Sequence, residues 1–305
     1  MEEFKIGSAT ALTRKSNITI VISFQAGTED ILGICLNSIK RHTVMPHKIL
    51  VITRDKELED LYNLVKGYDD IRIMELDIGE APESGSKVHG KMLDMAIPSE
   101  IDTPYFITLD SDCFPVADGW LDYLFSLKKD CVGILHPWEP PPDSLDKSTI
   151  EYRVRYQHSF NMTHVACQML SVDLFNELYV PFNGGDDTGL MIPNKVLSKG
   201  LKIGGLKISR CPYPLAELDP EFNRYMGLVF GDMIYHHGGW TRVSVFGDSP
   251  VWEQNYGWVK DRIIEEDGAE WILEDGYEFQ FDKEEEVAKE KMDRLFGLRS
   301  QLMKG

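Results

Sequence analysis

Residues 105–112 read YFITLDSD, an apolar run that ends directly in two carboxylates. A short run of β-branched and aromatic residues without helical periodicity predicts a buried strand. Three runs of the same kind precede it, at 17–24 (NITIVISF), 47–53 (HKILVIT) and 71–77 (IRIMELD). The stretches between them predict helices, and this order predicts a βαβ series with a mostly parallel sheet. We therefore expect an α/β fold.

The helices between these strands are predicted from periodicity and charge. Apolar residues from Leu32 to Ile39 recur at helical spacing. Acidic residues precede them and basic residues follow, which complements the helix dipole. Residues 56–66 predict a second helix, and a glycine-bearing loop at 83–90 leads into a third.

The second half of the chain has a looser order. We predict a short strand at 131–135, a helix that opens at 184–187 (GGDD), and a pair of strands at 201–210. A final amphipathic helix is predicted at 283–298. Neither a repeat nor a linker rich in Gly and Ser divides the sequence, so we expect one domain over residues 1–305.

The chain is acidic, with 32 Lys and Arg against 50 Asp and Glu and a formal net charge of −18. Binding to nucleic acid or docking on an anionic membrane needs clustered basic residues, and no window supplies them. No apolar run approaches the roughly 20 residues that a membrane span requires. The N-terminus lacks a secretory pattern, which predicts a cytoplasmic protein. We expect neither nucleic acid nor a membrane span among its partners.

The five cysteines are widely spaced, and none forms a C-x-x-C pair. This usage is more typical of buried or free thiols in a reducing compartment than of a disulfide framework. It agrees with the cytoplasmic prediction.

The first candidate site is Asp110-Ser111-Asp112, at the end of the fourth strand. In an open α/β sheet ligands bind outside the carboxyl ends of the strands, where both carboxylates would project. Carboxylate oxygens suit Mg²⁺ or Mn²⁺, which keep other positions for water and phosphate oxygens. We therefore predict a divalent metal and a bound diphosphate here. The alternative is a local turn, in which Asp side chains bond to nearby backbone N–H groups.

The order of these strands, with the GSKVHGK stretch and the terminal LDSD, resembles GT-A glycosyltransferases over roughly residues 17–240 and is closest to their family-2-like group. The resemblance implies a Rossmann-like central sheet with a nucleotide-sugar-binding half (17–120), a mixed acceptor-side half (121–245) and a C-terminal helical extension (246–305). The sequence departs from the family pattern after the first strand, where a Pro-Thr-Tyr-Asn type loop is usual. It also departs at the end of the second strand, which usually carries an acidic residue.

The resemblance also implies which residues meet the sugar donor. The loop after the first strand flanks the nucleotide, the Asp-x-Asp residues hold the diphosphate through a metal, and two basic residues neutralise phosphate. For the basic residue at the third helix a solvated surface Lys is the alternative. The implied donor contacts are Ser23, Phe24, Gln25, Lys91, Asp110, Ser111, Asp112 and Arg242.

An acidic pair, Asp186-Asp187, stands just before a predicted helix. In the resembling family such a pair supplies the base that deprotonates the acceptor hydroxyl, usually through its second member. The resemblance therefore implies Asp187 as the catalytic base, with Asp186 as the alternative. A purely structural interpretation is that one of them caps the helix, because Asp is a preferred N-cap residue.

Two histidines, His236 and His237, end an apolar stretch and precede two glycines. Histidine on a closing loop is suited to complete a metal site, and metal-dependent GT-A enzymes often have such a late ligand. Side chains alternate along an extended run, which favours His236. His237 is the alternative ligand beside Asp110 and Asp112.

These observations predict a metal-dependent, hexosyltransferase-like glycosyltransferase that uses Mn²⁺ or Mg²⁺. Its donor would be a nucleoside-diphosphate sugar, with a UDP-sugar as first choice, and its acceptor a glycan or other hydroxyl compound. The resemblance implies inversion at the sugar. Two other classes compete: a non-catalytic carbohydrate- or nucleotide-binding protein on the same scaffold, and a phosphatase whose Asp-x-Asp supplies a nucleophile.

Overall fold

The computed structural model describes eight stretches of the chain, which contain two β-sheets. These stretches are 16–54, 58–68, 71–79, 85–137, 161–184, 188–212, 227–240 and 259–279. The strands are β1 Ile18–Ser23, β2 His47–Thr53, β3 Ile71–Glu75, β4 Tyr105–Asp110, β5 Cys113–Pro115, β6 Cys131–Pro137, β7 Asn161–Ser171, β8 Ile203–Leu206, β9 Ile208–Cys211, β10 Leu228–Phe230, β11 Ile234–His236 and β12 Tyr277–Glu278. The helices are α1 Glu29–His42, α2 Glu59–Val65, α3 Gly85–Glu100, α4 Trp120–Ser126, α5 Val172–Leu178, α6 Met191–Ser198, α7 259–265 and α8 Ile272–Asp275.

The first sheet has seven strands in the order β3-β2-β1-β4-β7-β6-β8. Strands β3, β2, β1 and β4 run parallel and are connected through helices, as the sequence predicts. Strand β7 pairs antiparallel with β4 and β6, and β8 lies parallel to β6. The predicted α/β fold is confirmed: a mostly parallel, mixed central sheet is flanked by helices.

Side chains of the central strands alternate between two hydrophobic cores. On β1, Ile20 and Ile22 belong to the core that contains α1 and the second sheet, whereas Val21 belongs to the core under α3. Leu109 and Phe106 divide in the same way on β4. Both faces of these strands are covered, so both faces must be apolar. This is why the strands read as continuous apolar runs in the sequence.

The second sheet has five short strands in the order β12-β9-β10-β11-β5. Strand β5 begins one residue after Asp112 and pairs antiparallel with β11, which places Cys113 opposite His236. The backbone N–H of His237 donates a hydrogen bond to the Asp112 backbone oxygen at 2.9 Å. The second sheet therefore brings a late segment of the chain to the carboxyl end of β4.

The start of α3 differs from the prediction. The loop expected at 83–90 is helical from Gly85 onward. Two glycines in this segment lower its intrinsic helix propensity, but tertiary packing requires one of them: a Cβ on Gly90 would lie 2.8 Å from the backbone nitrogen of Asn183. Close packing of helix against backbone outweighs propensity here.

Two later predictions also need correction. The strands expected at 201–210 form as β8 and β9, but they do not pair with each other: β8 joins the first sheet and β9 the second. A single residue, Lys207, separates them, so the chain crosses directly between the sheets. The helix expected from 184–187 begins only at Met191. The helix expected at 283–298 lies outside the described residues.

All five cysteines are buried and free, as predicted. Burial raises the pKa of Cys131 and of Cys167 to about 12, so these thiols stay protonated at neutral pH. In the stretches that the structure describes, no helix combines the length and the apolar character needed to cross a membrane.

Gly133 allows a close backbone approach in the central sheet and gives a first test of the fold. A Cβ at this position would lie 1.9 Å from the backbone oxygen of Cys167. We expect Gly133→Ala to lower the free energy of unfolding by about 1–3 kcal/mol, because overpacking forces strands β6 and β7 apart. Urea denaturation followed by circular dichroism measures this change. Gly67→Ala is the matched control, since a Cβ there meets nothing within 4 Å; equal stability of both variants would contradict the β6–β7 register.

Candidate metal and nucleotide site

The candidate site lies at the carboxyl edge of the central sheet, where β1 and β4 end side by side. The two strands are parallel neighbours, with Ser23 opposite Asp110. The chain leaves β1 toward β2, on the side away from β4, so the two strand ends diverge. In open α/β sheets ligands bind in the crevice at such a switch point. Ser23 and Asp110 therefore stand where the sequence predicts a ligand.

Asp112 is held in a fixed orientation by a later loop. Its Oδ2 accepts a hydrogen bond from the backbone N–H of Trp240 at 3.1 Å. The side chain is only 9 % exposed. Burial raises the pKa of the Asp112 carboxyl, while the backbone N–H groups of residues 238–240 act in the opposite direction. A buried carboxylate is costly unless its charge is compensated, which a cation beside Oδ1 would do.

Asp110, Asp112 and His236 converge at this edge. Nε2 of His236 lies 3.8 Å from Oδ1 of Asp112, and one ligand atom from each of the three residues lies within 4.8 Å of the others. Adjacent ligands of an octahedral Mg²⁺ or Mn²⁺ stand about 3 Å apart, so small side-chain rotations close the set. Two carboxylates with one imidazole fit Mn²⁺ well, because imidazole prefers transition metals. The donor set therefore fits the predicted metal.

His237 has different surroundings. Its Nδ1 lies 2.6 Å from the Tyr235 hydroxyl, and its ring packs against Trp240 with centroids 4.7 Å apart. Burial, together with the nearby His236 and Lys260, lowers the pKa of His237 to about 3, so the ring is neutral. Among the described residues, His237 belongs to neither group of metal-ligating side chains. Its role as a ligand stays a prediction, and the geometry favours His236.

The three predicted nucleotide contacts at the end of β1 and in the loop after it, Ser23, Phe24 and Gln25, differ in how far their side chains are buried. The Phe24 side chain is 3 % exposed and packs in the core. The backbone N–H of Phe24 donates a hydrogen bond to the backbone oxygen of Ile52 at 2.9 Å. Ser23 and Gln25 are half-buried at the edge itself. Phe24 can therefore face a ligand only through its backbone, whereas Ser23 and Gln25 can offer side chains.

The basic stretch at the start of α3 also lies at this edge. The Lys91 ammonium donates to the Ile78 backbone oxygen at 2.6 Å, so a phosphate would have to compete with that bond. Two residues earlier, Nε2 of His89 lies 3.6 Å from Oδ1 of Asp110. The sequence singled out Lys91 in this stretch, and the structure brings His89 nearest to the carboxylates.

Asp186, Asp187 and Arg242 lie outside the described residues, so their predicted roles rest on the sequence. Helix α6 begins at Met191 with Leu190 at its N-cap position, and no side chain caps it. The capping interpretation of the acidic pair therefore does not apply to α6.

The residues on either side of 185–187 are fixed to α3. The Asp94 carboxylate accepts hydrogen bonds from the backbone N–H groups of Phe182 and Asn183, at 2.6 Å and 3.2 Å. On the other side, the Thr188 hydroxyl donates to the Ser86 backbone oxygen at 2.6 Å. Both ends of the acidic segment are thus held against α3, the helix that brings His89 close to Asp110.

Sequence reasoning missed two more histidines. His136 and His164 form a second group with His236, and their ligand atoms also lie within 4.8 Å of one another. His136 directly follows the apolar residues of β6, just as Asp110 directly follows the apolar residues of β4. That pattern was available in the sequence. His164 lies within a strand and carries no comparable pattern.

Neither a protein-family model nor a curated protein matches the chain. Solved structures that do match include the mannosyltransferase PcManGT from Pyrobaculum calidifontis in complex with GDP-Man and Mn²⁺ (12% identity, 63% of this chain and 55% of that chain, TM-score 0.46). S. aureus TarS 1-349 matches at 15% identity over 63% of this chain and 58% of its own (TM-score 0.42). The 4-diphosphocytidyl-2C-methyl-D-erythritol synthase of Anaerococcus prevotii matches at 11% identity over 62% and 87% (TM-score 0.44).

The chain thus spans little more than half of the length of the mannosyltransferase PcManGT and of TarS 1-349. The fold is defined by the strand order and register of this chain itself.

Proposed function

We propose that the protein is a metal-dependent glycosyltransferase that moves a sugar from a nucleoside-diphosphate sugar to a hydroxyl acceptor, with a UDP-sugar as the expected donor. The observation that carries the proposal is the convergence of Asp110, Asp112 and His236 at the carboxyl edge between β1 and β4. Both the position and the donor set suit a cation that holds a diphosphate. A cation also allows an anionic donor to approach a strongly acidic chain.

In this proposal Asp110, Asp112 and His236 hold Mn²⁺ or Mg²⁺. When bound, such an ion acts as a Lewis acid on the leaving diphosphate. The Trp240 N–H fixes the Asp112 carboxylate so that Oδ1 faces the site. The loop after β1 flanks the nucleotide, and Lys91 together with Arg242 would contact phosphate oxygens.

Asp187 is the proposed general base, with Asp186 as the alternative. It would take the proton of the acceptor hydroxyl while that oxygen attacks the anomeric carbon from the face opposite the leaving diphosphate, which gives inversion. The anchoring of both flanks on α3 supports this role, because the same helix brings His89 to 3.6 Å from Asp110.

The two competing classes make different demands on the site. An Asp-x-Asp phosphatase uses its first Asp as nucleophile, normally after the first strand, whereas Asp110 ends the fourth strand. A non-catalytic binding protein would keep the metal and the nucleotide contacts and would lack turnover. The enzyme and the binding protein therefore have to be separated by rate measurements.

Metal-coupled donor binding is the direct test of this site. We expect UDP to raise the melting temperature by several degrees in the presence of Mn²⁺, since saturation 100-fold above Kd adds about 2.7 kcal/mol to the folded state. With EDTA the shift should vanish, because the diphosphate then lacks its cation. Differential scanning fluorimetry with UDP, GDP and CDP measures the effect. Equal stabilisation in EDTA would contradict a metal-bridged donor site.

The reaction class is tested with a panel of nucleotide sugars and Mn²⁺. Release of the nucleoside diphosphate, alone or on addition of hydroxyl acceptors, supports sugar transfer. Release of pyrophosphate from a nucleoside triphosphate would instead make the protein a nucleotidyltransferase. Binding without turnover of any donor would favour the non-catalytic class.

A further inference from the structure

We propose that His136, His164 and His236 form a second metal site, which takes Zn²⁺ or a similar late transition metal and shares His236 with the carboxylate site. The proposal concerns the imidazole cluster alone and stands whether or not the protein transfers sugar.

Three separate strands bring these imidazoles together. His136 lies near the end of β6 and His164 on β7, both in the first sheet, while His236 ends β11 in the second sheet. The register between β6 and β7 shifts between Gly133 and Leu135, and the β7 segment opposite this shift contains His164. Bulges of this kind re-aim side chains and are common next to functional sites.

The rings are packed closely enough to share an ion. The centroids of His136 and His164 lie 4.6 Å apart, those of His164 and His236 lie 5.7 Å apart, and those of His136 and His236 lie 6.1 Å apart. One nitrogen from each ring lies within 4.8 Å of the other two. Two imidazole nitrogens on a tetrahedral zinc stand about 3.4 Å apart, given bonds of roughly 2.0–2.1 Å. The rings therefore need to move by an ångström or so.

The ligand set determines the metal. Three neutral imidazoles suit Zn²⁺, Co²⁺, Ni²⁺ or Cu²⁺, whereas Mg²⁺ needs oxygen ligands. Three protein ligands leave a fourth tetrahedral position for water or another ligand, as in catalytic zinc sites. His164 requires one adjustment, because its Nδ1 accepts a hydrogen bond from the backbone N–H of Ala166 at 3.2 Å. Coordination through Nδ1 would replace this bond, and coordination through Nε2 would require the other tautomer.

Sharing of His236 has a consequence for the neighbouring site. A neutral imidazole carries a single free lone pair, so it binds one metal at a time. Zinc in the histidine cluster would therefore withdraw His236 from Asp110 and Asp112. We expect added Zn²⁺ to weaken the Mn²⁺-dependent binding of UDP, because the two metals compete for His236. We do not expect Zn²⁺ to take the place of Mn²⁺ at Asp110 and Asp112.

Isothermal titration of the full chain with Zn²⁺, without nucleotide, tests the proposal. We expect one Zn²⁺ per chain, and a loss of affinity of at least about tenfold in His136→Gln and in His164→Gln, since even outer-shell partners of metal sites contribute that much. The double variant with Asp110→Asn and Asp112→Asn should keep the zinc. His47→Gln is the matched control, because His47 begins β2, at the end of the strands opposite to the site, and bonds to the Met45 backbone oxygen.

Three outcomes would overturn the proposal. If zinc affinity is unchanged in both His136→Gln and His164→Gln, the histidine cluster does not bind zinc. Its role is then to pack against Phe230, whose ring centroid lies 5.3 Å from that of His136. Loss of zinc in the double Asn variant alone would place the ion at the carboxylates. Absence of any stoichiometric zinc would leave no site. Should the glutamine variants not fold, Co²⁺ absorption of the double Asn variant decides: an intense visible band indicates tetrahedral nitrogen ligands, and a weak one contradicts them.

Discussion

Replacing Asp112 with Asn should abolish the thermal shift that UDP and Mn²⁺ produce together and lower the rate of sugar transfer by about 10²–10³-fold, because a metal contributes several kcal/mol to stabilisation of the leaving group. The fold should persist, since an amide oxygen can still accept the Trp240 N–H that now bonds to Oδ2. Calorimetric titration with Mn²⁺ and UDP, combined with a transfer assay on the same preparation, measures both effects.

Asp102→Asn is the matched control for this experiment. Asp102 is exposed, forms a salt bridge with Lys48, and precedes β4 at the edge of the sheet opposite to Asp112. Exposed pairs of this kind contribute little to stability. Normal binding of Mn²⁺ and UDP by the Asp112 variant would show that the metal lies elsewhere.

The second large effect is expected at Asp187. An Asp187→Asn change keeps size and polarity but removes the base, so turnover should fall by about 10²–10⁴-fold. Donor affinity should stay within a few fold, because the base contacts the acceptor and not the diphosphate. Transfer rate and donor affinity have to be measured on the same preparation. This comparison also separates an enzyme from a binding protein.

Asp186→Asn serves as the control for its neighbour. Loss of a general base should lower the transfer rate by at least ~10²-fold. If Asp187→Asn retains more than about half of the wild-type transfer rate, Asp187 is therefore not the base. A collapse of activity in Asp186→Asn alone would assign the base to Asp186. The helix-capping interpretation predicts no effect in either variant, and Leu190 at the N-cap of α6 argues against it.

The parallel half of the fold was predictable because its strands have a local cause. Residues such as Val21 and Ile22 point to opposite faces of the sheet, and both faces are covered. A largely apolar run is the pattern expected at that position. The position of the carboxylates was predictable for a related reason, since the strand itself brings them to the carboxyl end of the sheet, where ligands of open α/β sheets bind. The orientation of Asp112 was not, because it depends on the N–H of Trp240.

The second sheet could not be predicted in this way. Strands β5, β10 and β11 have three residues each, too few for alternation to be recognised. Their pairing depends on contacts between distant segments, such as Cys113 with His236. The grouping of His136 with His164 depends on a register shift between β6 and β7, which no local pattern encodes.

The two hydrogen bonds that residues 237 and 240 donate to Asp112 set an order of events during synthesis. They connect positions about 125 residues apart, and contacts of such large sequence separation form late in folding. An emerging N-terminal half can complete β1 to β4 and still lack the orientation of Asp112 and the imidazole of His236. If Asp110, Asp112 and His236 hold a metal as proposed, we expect a chain that ends before His236 to bind Mn²⁺ more weakly than the whole protein.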